Sequence, residues 1–565
     1  MKKIASLVVL SFIFACSSSE FSGEDSVAEK SPHPDAKLIA TAGAPLFGGM
    51  GDYHRDITTD SEGAQRYFDQ GMVLAFGFNH AESIRSFRAA QKLDPDCAMC
   101  FWGEALATGP NINVTSKGRA IMSDDERHRA FAAINRADSL KTGTSSSEQA
   151  LISALQTRYN GDPSTERFML DMAYAAAMGE VVKAFPDDDD VVAIFAESLM
   201  NTMPWDYWSD NGEPKAETVQ VIDALEKILA RSPSHPLALH LYIHATEASA
   251  NPGRAEDEAD VLANLVPGSG HLVHMPAHIY WRVGRYQDAA AANVLAAGVD
   301  EEYIAACNAQ GFYPALYYPH NIHFLWAASS MAGQSKVAIE SAYKVAANVH
   351  LEQIEQFPTI EFFKTIPILA LTQFGKWDDI LASPEPAKTL DFSHAIWHYA
   401  RGLAYANKGN LLAARSEQAQ LAAKKDSVQI EFLDGADYPA SVLLGIADDL
   451  LLGEIAKVEN KTDSAVRYFE KAVASQDALP YTEPPFWYYP TRQSLGAALL
   501  LADRPAEAEA VYRKDLVDYP RNGWSLFGLA EALSAQDKTE EAAAARLKFK
   551  QAWSMADVEL DGSRL

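Results

Sequence analysis

Cysteine is scarce, with four residues in a chain of 565. Disulfide bonds are therefore excluded as the main source of stability. Basic charge is also short: 48 Lys and Arg stand against 76 Asp and Glu, a formal net charge of -28. So acidic a surface repels phosphate backbones and argues against a nucleic-acid partner. After the N-terminal segment no apolar run is long enough to cross a bilayer, and continuous β-branched alternation is absent. There is no Walker loop, no GxSxG elbow, no HExxH and no dinucleotide fingerprint. The common nucleotide, serine-hydrolase and zincin sites are thus not written into this chain.

The N-terminus reads as targeting signal. MKKIASLVVLSFIFAC has Lys2 and Lys3, an apolar run, then Ala15-Cys16. The run is too short for a permanent transmembrane helix. A cysteine after a small residue at its end resembles a bacterial lipobox, which implies a signal peptide over 1–15 and a lipid anchor on Cys16. An ordinary signal peptide cleaved nearby is the alternative. Residues 16–45, rich in Ser, Glu and Pro, are expected to be a flexible tether. Residues 46–555 are expected to form the folded part, with a ten-residue tail after it. Of the other cysteines, Cys97 and Cys100 form a CAMC pair that suits a local disulfide, two small core residues or, third, soft metal ligands.

From about residue 62 onward apolar residues recur at three- and four-residue spacing, predicting helix after helix. The pattern also repeats. Gly71 is followed by Phe87, Ala90 and Pro95; Gly453 by Ala465, Phe469 and Ala472; Gly496 by Ala508, Tyr512 and Pro520; Gly402 by Tyr405, Gly409 and Ala414. Small residues at such offsets let antiparallel helices approach, an aromatic fills the gap, and a proline stops the second helix. These offsets resemble the tetratricopeptide (TPR) repeat. The resemblance implies an all-α, right-handed solenoid of antiparallel helix pairs whose default role is binding a protein or peptide partner. DPDCAMCFWGEAL, HLYIHATEAS, HLVHMPAHIYWRVGRY and YYPHNIHFLW further resemble secreted bacterial TPR lipoproteins. That implies an exported protein, anchored on the periplasmic or extracellular side of a bacterial envelope.

Eight of the 15 histidines lie between His235 and His323, where an even spread would put about two. His240, His244 and Glu247 fall at i, i+4 and i+7, one helix face. His271, His274 and His278 fall at i, i+3 and i+7, and His320 and His323 at i and i+3. With Gly284 and Gly333 as inter-helix turns and Ala255 in the conserved-alanine slot, the TPR resemblance implies that all eight side chains line the concave groove, over 235–330. Pro276 disturbs this frame: either its helix is bent there, or it starts near Met275 and leaves His271 in a loop.

Neutral imidazoles, with Glu247 as an oxygen donor, suit a transition metal such as Zn, Cu or Fe. Seven histidines and a glutamate exceed one tetrahedral shell, so two metals, or one metal with outer histidines, are expected. An anionic ligand held by partly protonated imidazoles and Arg282 is the second reading, and interior packing the third. Trp281, Tyr317 and Tyr318 are expected at the groove, and the remaining aromatics, including PPFWYYP (484–490), between repeats. Two functional alternatives accompany the metal-binding interaction protein. One is a hydrolytic or redox metalloenzyme with Glu247 as ligand or general base; the other is a plain peptide scaffold without metal. DDDD (187–190) reads as a solvated loop ending in a helix N-terminal turn.

Overall fold

The computed structural model describes residues 35–116, 119–209, 211–307, 309 and 311–565. The signal segment, Cys16 and most of the expected tether lie outside the described residues. Among those described, 28 α-helices follow one another, and the only strands are the two-residue pair Thr115–Ser116 and Arg119–Ala120. None of the helices is long and apolar enough to cross a membrane. Consecutive helices pack in antiparallel pairs, for example Glu62–Phe76 with His80–Leu93 and Ala440–Val458 with Thr462–Asp477.

The turn inside many of these pairs has one local cause. A residue with positive φ ends the first helix, and the next N–H reaches back five residues to a carbonyl of the last turn. Gly284 (φ 81°), Gly333 (71°), Gly375 (61°), Gly409 (76°), Asn460 (59°), Asp503 (56°) and Asp537 (57°) all do this. The bonds include Arg285 N to Tyr280 O (2.7 Å) and Lys461 N to Ala456 O (2.9 Å). This is the Schellman arrangement, and Gly, Asn and Asp are the residues that enter it at least strain. Phe78 (56°) makes the same turn at larger steric expense, with Asn79 N on Leu74 O.

Between pairs the small-residue slots do the positioning. A Cβ on Gly71 would stand 2.8 Å from the Phe87 ring, and one on Gly103 would come closer still to the same ring. Phe469 fills the slot at Gly453, and Tyr512 fills those at Gly496 and Gly528. Each ring is thus clamped by backbone that no larger residue would allow so close.

The two ends of the chain fold back on its middle. Gly268 N donates to Gly49 O (2.8 Å), and Asn111 Nδ2 reaches Tyr317 OH (3.4 Å). From the other end Trp524 Nε1 donates to Ser330 O (3.0 Å), and Gln287 Nε2 to Ala552 O (3.2 Å). Ordered structure also begins within the stretch expected as tether. Ala36–Ala42 is helical, Arg66 pairs with Asp35, and Tyr67 OH donates to Ala44 O (2.5 Å). The last ten residues are docked rather than free: Ser563 Oγ donates to Gln493 O (2.9 Å), and Arg564 to Gln373 O (3.0 Å). Cys97 and Cys100 form a disulfide at the start of helix Ala98–Thr108.

The acidic run 187–190 is only partly solvated. Asp187 is exposed, but Asp188 caps its helix and, with Asp190, holds Arg55 (2.8 and 2.9 Å). Charge that looks surplus in sequence is here paired across the fold.

Two outcomes test this packing. Gly103→Ala forces a methyl into the Phe87 ring and lowers the thermal unfolding midpoint, by the equivalent of about 1–3 kcal/mol. Gly298→Ala, in an exposed helix position with nothing within 4 Å of its Cβ, does not lower it and gains up to about 1 kcal/mol from propensity. The second concerns Asp515, which ties Asn522 and Ser525 (3.1 and 2.6 Å) and whose Oδ1 has no partner. Burial pushes its carboxyl up to about 7. An unfolded Asp titrates near 4, so between those values the folded chain binds the extra proton. Its contribution to stability is full below about pH 4 and lost as pH rises through 7. Asp515→Asn removes that loss, so denaturant midpoints of variant and wild type should shift in the variant's favour from pH 5 to pH 8.

Candidate metal centre

Helix Pro236–Glu247 starts with a proline at its first position, where the missing N–H has no partner to lose. His240 and His244 follow one turn apart, ring centroids 4.8 Å, with Glu247 at the last turn. The segment around Pro276 is one bent helix. Gly270–His274 continues through Met275, which has helical dihedrals (φ -50°, ψ -39°), into Pro276–Val283. His271 therefore belongs to the helix. Gly270 is required because the Asp300 carboxylate occupies the space of a Cβ there. Asp300 in turn accepts from Tyr313 OH (2.9 Å), and that hydroxyl accepts His271 N–H (3.1 Å), which anchors the helix start. A π-helical turn, Tyr313–Tyr317, leads into Tyr318–Met331 and delivers His320.

These elements bring six imidazoles into two adjoining triads. His240, His244 and His271 form one, and His274, His278 and His320 the other; within each, ligand atoms lie within 4.8 Å of one another. Five of the rings are buried, and His320 keeps partial exposure to a cavity. Four rings are fixed at Nδ1 by acceptors. His240 donates to Phe76 O (2.6 Å), His244 to Glu247 Oε1 (2.8 Å) and His278 to Glu247 Oε2 (2.8 Å), with Glu483 beside it. His274 donates to Asn293 Oδ1 (2.6 Å), and Asn293 is oriented by its own bond from Nδ2 to Ala289 O (2.8 Å).

A neutral ring that donates from Nδ1 presents a lone pair at Nε2. His274 Nε2 lies 2.7 Å from His278 Nε2 and 3.1 Å from His320 Nε2. In the other triad His240 Nε2, His244 Nε2 and both nitrogens of His271 are buried without a partner. The lone pairs of His274 and His278 thus face each other, while His320, whose Nδ1 is not held by any of these acceptors, can place its proton on Nε2 toward His274. Protons do not relieve this cheaply, because burial and then neighbouring histidines hold His240, His271, His274 and His320 well below the ordinary imidazole pKa. Burial acts to raise the Glu247 carboxyl, but His278 and His244 outweigh it and bring it down to about 2, so it is ionised. Both its oxygens are occupied: Oε1 by His244, and Oε2 by His278 and Tyr481 OH (3.0 Å).

The other expected residues are distributed as follows. His323 stays out of the triads: it stacks on Trp326 (5.3 Å) and meets Phe362 and Phe363, and burial brings it down to about 3. Arg282 donates to the carbonyls of Glu247 and Ser249 and lies over the Tyr481 ring, closing the end of helix Pro236–Glu247. Tyr317 meets His271 edge-on (4.8 Å) at the cavity wall. Trp281 packs against Tyr286 and Phe324 inside the repeat, and Tyr318 bonds Glu301 (2.9 Å), so neither lines the cavity.

Several participants come from far away in sequence. Glu483 forms a third donor group with His244 and Glu247. Tyr481, Asn293 and Phe78, whose ring lies 4.6 Å from His240, complete the surround. Only the aromatic cluster at 484–490 flagged that loop, and it pointed to packing.

A cavity of about 540 Å³ adjoins the triads. His244, His271, His278 and His320 form one end, and Phe362, Phe363, Tyr438 and Trp487 the other. The expected groove is thus a part-open cavity, which Phe76–Phe78 and the loop 481–488 narrow.

No family model matches the chain, and no curated protein matches it. Among solved structures it is similar to the human IFIT1 dimer with m7Gppp-AAAA, at 13% identity and a TM-score of 0.30, over 77% of this chain and 87% of that one. It is also similar to yeast Tom70 (12%, TM-score 0.26, 88% and 92%) and to the P58(IPK) TPR domain (12%, TM-score 0.20, 84% and 99%). At these TM-scores the likenesses carry no argument about this chain's fold, ligand or partner.

Proposed function

We propose that this TPR-like chain is an exported, lipid-anchored binding protein whose buried imidazoles hold a transition-metal ion. The observation that carries this is the convergence of the Nε2 atoms of His274, His278 and His320 while two of those rings are fixed at Nδ1. Ligands about 2.0–2.1 Å from a tetrahedral ion stand about 3.3 Å apart. The contacts of 2.7 and 3.1 Å are just inside that spacing. An acceptor on the far nitrogen is the support that metal-binding histidines need. His240, His244 and His271 supply a second set, so the chamber suits two ions. All-nitrogen donors favour Zn, Cu or Fe over hard cations.

Glu247, expected as ligand or base, supports a different role. With both oxygens engaged it orients His244 and His278, and is a positioning residue. His323, apart from both triads, is left out of the ligand set. A metal-dependent enzyme is the second reading, favoured by the cavity beside His278 and His320. Three protein ligands leave a fourth position open in that direction. Export and the lipid on Cys16 rest on the first sixteen residues, and the Cys97–Cys100 disulfide suits an oxidising compartment. A protein or peptide partner follows from the repeat architecture alone.

Elemental analysis of the protein from Ser17 onward, purified without a histidine tag, should find Zn, Cu or Fe, or uptake of one of them by the stripped protein. Failure to retain or take up any of the three overturns the metal reading. His274→Ala and His320→Ala should each weaken Zn(II) binding more than tenfold, and exposed His128→Ala should leave it unchanged. Asn293→Leu, which touches no metal, should still weaken it by about 10–100-fold through the loss of ring orientation.

A further inference from the structure

We propose that the inner triad, His240, His244 and His271, is a copper(I) site, while the outer triad, His274, His278 and His320, takes a divalent ion. This deepens the metal reading, on which it rests, by assigning an ion and an oxidation state to each half of the site.

The two triads differ in what surrounds their donors. His320 keeps partial exposure to the cavity, so an ion on the outer triad has room for a fourth ligand. The inner triad is walled by aromatic rings. Phe78 stands 4.6 Å from His240, 5.3 Å from His271 and 6.3 Å from His244. Trp205 meets His244 edge-on (5.2 Å, 85°), and Tyr317 meets His271 in the same way (4.8 Å). Among these rings His240 Nε2, His244 Nε2 and both nitrogens of His271 are buried without a partner. Orphaned polar atoms are rare in folded interiors, and here they converge on one point.

Coordination number then selects the ion. The three donor atoms lie within 4.8 Å of one another. A trigonal ion about 2.0 Å from each would draw them to about 3.5 Å. Zinc fills a fourth position in nearly every site, and divalent copper and iron also take four ligands or more. Here the aromatic walls stand where a fourth ligand would enter. Copper(I), a closed-shell ion of single charge, is satisfied by three nitrogens, and imidazole suits copper.

Charge points the same way. Among the described residues one carboxylate, Glu247, bonds to the inner triad, through His244 (2.8 Å), and it serves His278 as well. A single positive charge is matched by it. A divalent ion would keep an unmatched charge out of water. At the outer triad both Glu247 and Glu483 lie against His278, which suits a divalent ion.

The test uses metal-free protein from Ser17 onward, kept anaerobic, with bicinchoninate as the Cu(I) competitor. Protein carrying one equivalent of Zn(II) should bind one Cu(I) and should not take up a second Zn(II). His271→Ala should lose the Cu(I) and keep the Zn(II), and His274→Ala should do the reverse. X-ray absorption of Cu(I)-loaded His274→Ala should show three nitrogen neighbours and no fourth ligand. Phe78→Gly suits the positive φ of its turn (56°) and removes the ring. It should weaken Cu(I) about 10–100-fold, the scale of a lost outer shell, and admit a second Zn(II). A second Zn(II) bound by the wild type as tightly as the first overturns the proposal, as does Cu(I) affinity unchanged in His271→Ala. So does four-coordinate copper(I), or Phe78→Gly indistinguishable from wild type. Loss of Zn(II) and Cu(I) binding alike would overturn the metal reading itself, whereas Zn(II) retained without Cu(I) would overturn this inference alone.

Discussion

Imidazole removed from water is the constraint on which the rest of this structure depends. A buried polar ring is tolerated only where its nitrogens find partners. Here the partners are supplied on one side of four of the six rings. Phe76 O, Glu247 and Asn293 take the Nδ1 protons of His240, His244, His278 and His274. The opposite nitrogens face one another or nothing. A set of histidines kept only for packing would scatter its acceptors. One-sided satisfaction leaves a focused set of nitrogens that could hold a cation.

That constraint also explains why the solenoid closes on itself. The helical segments 236–247, 270–283 and 318–331 can aim histidines at a common axis, but they leave that axis open to water. The covering elements come from both ends of the chain. The turn Gly77-Phe78-Asn79 brings Phe78 against His240 and His271, and the loop 481–488 brings Tyr481 and Glu483 against Glu247 and His278. Phe78 takes a positive φ to do so, where other turns of the same kind use Gly, Asn or Asp. A ring is needed at that point, and the less strained residues would not supply one.

Local periodicity made the helices legible, along with the slots at Gly71, Gly453 and Gly496 and the shared faces of His240 with His244 and of His271 with His278. All are relations within about twenty-five residues, where helix geometry turns spacing into direction. Pro276 left two conformations open, and tertiary packing chose the bent helix: Asp300 and Tyr313 secure the turn before it. Relations across the fold left no periodic trace. Nothing in the spacing joins Glu483 to His278 or Asn293 to His274. The paired charges of Asp188 and Asp190 looked like solvent-facing surplus until Arg55 arrived from 133 positions away. His323 shared a stripe with His320, yet its ring turned to Trp326 and Phe362, because i and i+3 are close neighbours without being the same direction.

Closure has a thermodynamic corollary. The acceptors and covers of the chamber come from residues 76 to 78, 247, 293 and 481 to 483, and the rings from three helices between them. A ligand that binds only the assembled chamber stabilises the folded state by RT ln(1 + [L]/Kd). Because no single repeat contains the site, that stabilisation cannot be confined to one helix pair. A repeat solenoid ordinarily couples only neighbours. In this chain, an ion held by His274, His278 and His320 would bind the middle directly, and through Glu247, Tyr481 and Glu483 it would also tie down the C-terminal loop. The repeats would then melt less as a series of neighbours and more as one unit, with the chamber as the point at which the two ends meet.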